Sequence, residues 1–216
     1  MPKSRRAATS PRKSPTQERS RRLVSDVLEA AIRVLEKEGA ARFNTIRVAR
    51  AAGVSVGSLY QYFPNKQAIL YRLQLDEWER TGSMIDAILG DEALPPRQRL
   101  QKMTHAFFVS ECEEAPLRQA LAALAPSYHD APESRVHRAR SRQIIASFIR
   151  AAAPRASARQ RTFAIGLVMT AITAIGKGVS EREPSPREVK QWAAAASEMI
   201  WVYLSGLGSR NQRASS

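Results

Sequence analysis

The stretch Thr45-Ile-Arg-Val-Ala-Arg-Ala-Ala-Gly53-Val-Ser-Val-Gly-Ser-Leu-Tyr60-Gln-Tyr-Phe63 decides the fold. It reads as two short helices joined by a tight turn. Thr45 is suited to cap a helix over 46–52, Gly53 to close it, and Ser55 to cap a second helix over 56–63. Two short helices crossing steeply need a small residue at their contact, which Ala49 supplies, and Gly53 gives the turn its backbone freedom. Val54 fills the gap behind the turn, and Leu59 and Phe63, four apart, give the second helix an inward face. Its other face then carries Val56, Ser58, Gln61 and Tyr62, with Gly57 and Tyr60 beside it. The start at Ser55–Ser58 offers free backbone N–H groups and a positive helix end to a phosphate oxygen, and Lys66 reaches the adjoining backbone. This is the pattern of a helix-turn-helix that reads DNA in the major groove.

Outward from this core the chain is helical. Leu23, Val27, Leu28, Ala31, Val34 and Leu35 recur at three- and four-residue steps and predict a helix over 20–38, followed by Gly39 as its left-handed end. Pro64 and Asn65 precede a long helix over 66–89, and Asp91 to Pro96 form a boundary. Further helices are expected near 97–114, 117–125, 134–152, 158–178 and 187–206, with Pro116, Pro126, Pro132, Pro154, Pro184 and Pro186 between them. Ser185-Pro186-Arg187-Glu188 has the residues of a capping box. No stretch alternates as a half-buried strand does, so the fold class is all-α.

Charge is distributed unevenly. The 216 residues carry a net charge of +14, which favours a polyanionic partner. Residues 1–22 hold eight Lys or Arg against Glu18, a net of +7, in a segment whose first 19 residues are expected to be disordered. That tail is either a solvated linker or an arm that follows the DNA backbone or enters the minor groove. Residues 73–216 hold 19 Lys or Arg and 15 Asp or Glu, a net of only +4. The single Cys112 cannot pair within the chain, which suits a reducing cytoplasm. The longest apolar run, Phe163 to Gly176, falls short of the roughly 20 residues of a bilayer span, so no membrane partner is expected.

From Thr45 through Leu70 the chain closely resembles the DNA-binding domain of TetR-family repressors. It has their Thr, Ala, Ala-Gly-Val-Ser, Gly-x-Leu-Tyr-x-Tyr-Phe and Lys-x-x-x-Leu elements without a gap. The resemblance implies that Thr45, Tyr62 and Lys66 bind phosphates, while Arg47, Val56, Ser58, Tyr60 and Gln61 lie near the bases or the groove wall. Val56 and Gly57 have no side-chain hydrogen bonds to give, leaving Gln61 and Arg47 as polar base readers. Tyr60 and Tyr62 have an alternative place in a helical core, but flanking Gln61 in this frame they favour the DNA surface.

The resemblance also implies a division of the chain. A basic tail over 1–19 precedes a three-helix DNA-binding domain over 20–66 and a connecting helix and linker over 67–95. A helical ligand-binding and dimerisation domain over 96–207 and a flexible tail over 208–216 follow. The helices near 158–178 and 187–206 are apolar on nearly all sides; they pair across a two-fold axis as a homodimer or else fill the monomer core. Trp78, Met103, Phe107, Tyr128 and Phe148 are candidates to line a small-molecule pocket, with His105, His137, Arg138 and Arg142 nearby suiting an anionic or amphipathic ligand. The function expected is a transcriptional regulator, a repressor released from a palindromic double-stranded operator when an effector moves the 66–89 helix. No cofactor, metal site or enzyme activity is expected. The His residues and Cys112 have no ligand-like pairing, the acidic run Glu111 to Glu114 reads as solvated surface, and there is no nucleophile elbow or phosphate-binding Gly loop.

Overall fold

The computed structural model describes residues 15–124 and 132–207, and the first described element is α1, Pro15–Glu38. Helix α1 starts five residues before the expected start at residue 20 and eight before Leu23, the first residue of the apolar repeat. Pro15 suits a first helical position, and Gln, Glu and Arg are good helix formers although they leave no periodic signature. The tails at 1–14 and 208–216 lie outside the described residues. Gly39 follows α1 with a positive φ of 76°, but its ψ of 167° is extended rather than left-handed helical. A short 3₁₀ turn, Ala40–Arg42, leads to α2, Thr45–Ala52, and α3, Val56–Tyr60. The next helices are α4, Lys66–Leu89, α5, Pro96–Glu113, α6, Ala115–Leu124, and α7, Pro132–Ala152. Helices α8, Ala158–Ser180, and α9, Pro186–Ser205, complete the described chain, which contains no strand. Asn65 rather than a break alone precedes α4, accepting the Ala68 N–H at 2.9 Å as a cap.

The chain divides into two units, Met1–Ile69 and Leu70–Ser216. In the first, α1 packs on α2 and α2 on α3, around Val27, Ala31, Val34, Phe43, Val48, Leu59 and Phe63.

In the second unit α5 is central, packing against α7, α8 and α9, and α7 packs on α8. Leu100, Phe108, Ile149, Val168, Ile200 and Leu204 are among the buried side chains there. Helices α8 and α9 both start with complete capping boxes, Ser157 with Gln160 and Ser185 with Glu188. Gly176 lets α8 approach α5, because a Cβ there would stand 3.1 Å from Phe107 Cε1 and 3.2 Å from Glu111 Cγ. Helix α8 continues beyond Lys177 to Ser180. With 23 residues, and a mean hydropathy of 1.6 over an 18-residue stretch, it is long and apolar enough to cross a membrane, unlike the shorter run considered alone. One of its faces nevertheless lies in the core, through Ala164, Val168, Ile172 and Val179.

Candidate functional site

The helix-turn-helix is built by local hydrogen bonds. Helix α2 begins at Thr45, and its cap is Asn44, whose Oδ1 accepts the Arg47 N–H at 2.9 Å; Thr45 is therefore the first helical residue and not the cap. At the other end Gly53 has φ 68° and ψ 24°. Its N–H donates to Arg50 O at 3.2 Å and the Val54 N–H to Ala49 O at 3.0 Å, which is the Schellman pattern. Ser55 caps α3 as expected, accepting the Ser58 N–H at 3.0 Å. Helix α3 ends at Tyr60, three residues short of the expected Phe63. Pro64 disfavours helical backbone at Phe63, and the chain leaves through a turn in which the Tyr62 and Phe63 N–H groups both donate to Leu59 O.

Leu59 and Phe63 are buried while Gly57, Tyr60, Gln61 and Tyr62 are exposed, with Val56, Ser58 and Lys66 half-buried. Tyr60 and Tyr62 keep 47% and 39% of their surface in solvent, unusual for large aromatic side chains that have a core to join. The Tyr60 hydroxyl and the hydroxyl of the buried Thr45 lie 3.0 Å apart, and the Tyr62 hydroxyl donates to Ser20 of α1 at 2.9 Å. Both tyrosine tips are thus fixed in place with their rings outward. Arg47 is held by Glu38 at the end of α1 through an ion pair, which the sequence reading missed. The face therefore presents hydroxyls, one amide and cationic groups, the donors that meet phosphate oxygens and base edges.

In the second unit, a cavity of about 260 Å³ lies among α4, α5, α6, α7 and α8. Trp78, Met103 and Phe107, three of the residues put forward for a ligand pocket, line this cavity together with Ile144 and Met169. Phe148 does not; it is buried beside Arg99 and lines a separate cavity of about 350 Å³. Tyr128 lies outside the described residues. His137 sits against Trp78, with ring centroids 6.0 Å apart, but His105 and Arg142 are exposed and line neither cavity.

The charged wall of the 260 Å³ cavity is Glu77, Glu111 and Arg118. Arg118 bonds Glu77 at 2.7 Å and Glu114 at 3.0 Å and also pairs with Glu111; Thr81 donates to Glu77 at 3.1 Å. Burial pushes the carboxyls of Glu77 and Glu111 above the ordinary range, against the opposing pull of Arg118. Glu111 is accordingly not solvated surface: it is almost fully buried, and its partner lies seven residues on. The Glu114–Arg118 spacing of four was the one local signal of this network. Burial, with Glu111 and Glu113 adding, pushes the Cys112 thiol up and away from reactivity. Among the described residues no group of three or more His, Cys, Asp or Glu is placed to hold a metal ion.

Two family models match the chain. "Bacterial regulatory proteins, tetR family" covers residues 27–73, and "Tetracyclin repressor-like, C-terminal domain" covers residues 95–207, more than half of the chain. The chain belongs to the TetR family. Solved structures share its fold. A TetR-like transcriptional regulator from Rhodococcus sp. RHA1 is 20% identical with a TM-score of 0.64, over 85% of this chain and 96% of that one. The fatty acid degradation regulator FadR from Bacillus halodurans is 15% identical with a TM-score of 0.63, over 88% and 97%. SmeT in its complex with triclosan is 16% identical with a TM-score of 0.59, over 84% and 90%. No curated protein matches the sequence. This TetR-family chain is a DNA-binding transcriptional regulator, with its helix-turn-helix within the first family match and its cavity residues Met103, Phe107, Glu111 and Arg118 within the second.

Proposed function

We propose that the protein is a cytoplasmic repressor that holds a palindromic operator as a homodimer and is released by a small-molecule effector, without catalysing a reaction. The observation that carries the DNA reading is the outward pair Tyr60 and Tyr62 around Gln61, with each hydroxyl anchored within the same unit. In this reading Thr45, Tyr62, Lys66 and the α3 start at Ser55 position the protein on phosphates, Arg47 and Gln61 read base edges, and Val56, Gly57, Ser58 and Tyr60 lie against the groove.

Exposed apolar groups support the dimer. Phe163 on α8 and Met199 and Val202 on α9 keep 67%, 52% and 61% of their surface exposed, although these helices bury their other faces. Two copies joined through α8 and α9 would bury them. The second unit also has a mainly apolar cavity with a few polar groups, the form of a small-ligand site. SmeT was solved with triclosan, which fits an effector in a fold of this kind. Ligand binding acts through α4 by shifting a population between operator-competent and released forms. A swing from 1:99 to 99:1 requires about 5.5 kcal/mol of differential affinity.

Selection of binding sites from a random duplex pool by the full chain tests the proposal. The expected product is an inverted repeat whose half-sites are about 10 base pairs apart or a multiple of that. Enrichment of no sequence, or of an asymmetric site bound by one copy, would overturn it.

A further inference from the structure

Charge at the 260 Å³ cavity is not balanced. Glu77 from α4 and Glu111 from α5 form part of its wall, and Glu114 at the end of α5 adjoins them. Against these three carboxylates stand two guanidinium groups, Arg118 from α6 and Arg80 from α4, the latter bonded to Glu114 at 3.0 Å. Lys177 of α8, close enough to affect Glu111, faces Glu181 at 3.8 Å, and His137 of α7 faces Glu79 at 3.8 Å. Within the cluster of Glu77, Glu111, Glu114, Arg118 and Arg80, carboxylates therefore outnumber guanidinium groups by one, while Glu79 is matched by Arg140 at 2.8 Å. The rest of the wall is apolar and aromatic, through Trp78, Phe107, Ile144 and Met169.

We infer that this cavity selects organic cations, taking an aromatic or alkyl ammonium group with its charge toward Glu77 and Glu111 and its apolar body against Trp78 and Phe107. A cation supplies the charge that the cluster lacks, and aromatic faces attract it further. An anion meets two carboxylates and one arginine already held by three. A neutral ligand fills the space but leaves the carboxylates as they are. The raised carboxyls of Glu77 and Glu111 agree with this, since burial disfavours their ionised forms more than Arg118 favours them. The inference deepens the effector reading above and rests on it.

The test uses the full chain and three benzyl probes of different charge: benzyltrimethylammonium, its neutral isostere neopentylbenzene, and the smaller anion phenylacetate. Benzyltrimethylammonium is expected to raise the melting temperature most. Titration calorimetry should find Glu77→Gln weakening the cation about tenfold while the neutral probe changes less than about twofold. Glu111→Gln is the second variant, in case Glu77→Gln fails to fold. In the unmutated chain, cation affinity should rise with pH as the carboxyls ionise, with no such rise for the neutral probe. Equal or tighter binding of the neutral or anionic probe, no response to any probe, or unchanged cation affinity in both variants would overturn the inference. A cation that binds with the expected preference but leaves operator affinity unchanged would instead overturn the effector reading and leave the charge preference standing.

Discussion

Gly53 and Arg47 show how single residues set the DNA-binding face by different means. At Gly53 nothing lies within 4 Å of where a Cβ would be, so the φ of 68° alone demands glycine. Gly53→Ala should therefore lower unfolding free energy by about 1–2 kcal/mol, the cost of left-handed backbone for an L-residue. Chemical denaturation checks this, and an unchanged midpoint would contradict it. Arg47 has ordinary backbone but a competing partner. Its ion pair with Glu38 is exposed, so it contributes little to stability, at most about 1 kcal/mol. It does place a carboxylate beside a proposed base reader. Glu38→Gln should tighten binding to the selected operator several-fold at low salt while leaving the melting temperature nearly unchanged. Weaker binding by gel shift would mean that Glu38 orients Arg47 productively instead of restraining it.

Helices were legible in proportion to how local their signals are. The apolar repeat from Leu23 to Leu35, the turn glycine and the Ser185–Glu188 box each lie within a few residues and predicted α1, the α2–α3 turn and the start of α9. The first turn of α1 is polar on every side, so apolar periodicity had nothing to detect there. The cavity wall was half legible for a similar reason: Trp78, Met103 and Phe107 stand out as large apolar residues, whereas the Glu77–Arg118–Glu111 network joins three helices and 41 positions of sequence. Phe148 has the same composition signal as Phe107 but points into a different packing environment, which spacing does not encode. The earlier start of α1 also sharpens a test of the basic tail. Removing residues 2–14 deletes Lys3, Arg5, Arg6, Arg12 and Lys13 without cutting into the helix. If the tail follows the DNA backbone, the plot of log affinity against log salt should become shallower by about 0.9 for each phosphate no longer neutralised, with the preferred sequence unchanged. An unchanged slope would make the tail a solvated linker.

For the whole molecule, the consequences concern assembly and pH. Phe163 and Val202 are too exposed to hold a single copy together, so Val202→Asp should turn a dimer into a folded monomer and, by removing paired half-site binding, reduce operator affinity by more than about tenfold. Sedimentation measures the first effect; a monomer before mutation, or a dimer after it, would redirect attention from the α8–α9 face. The pH dependence has the opposite sign to that of ordinary surface carboxylates. Glu79, Glu133 and Glu188 have lowered carboxyls, chiefly through hydrogen bonds from Arg140, Tyr71 and Ser185, so their contribution is present above the unfolded value and lost as pH falls. Glu77 and Glu111 are raised above the ordinary 4.5 by burial. Their folded forms bind protons more tightly than the unfolded chain does. That contribution is complete below the unfolded value and is lost as pH rises through the folded one. Glu77→Gln removes one such proton site while leaving Arg118 its bonds to Glu111 and Glu114. Urea unfolding at fixed protein concentration should thus show the variant losing less stability than the parent as pH rises above the ordinary carboxyl value of 4.5. Parallel curves above that value would mean that Arg118 keeps Glu77 ionised throughout, outweighing its burial.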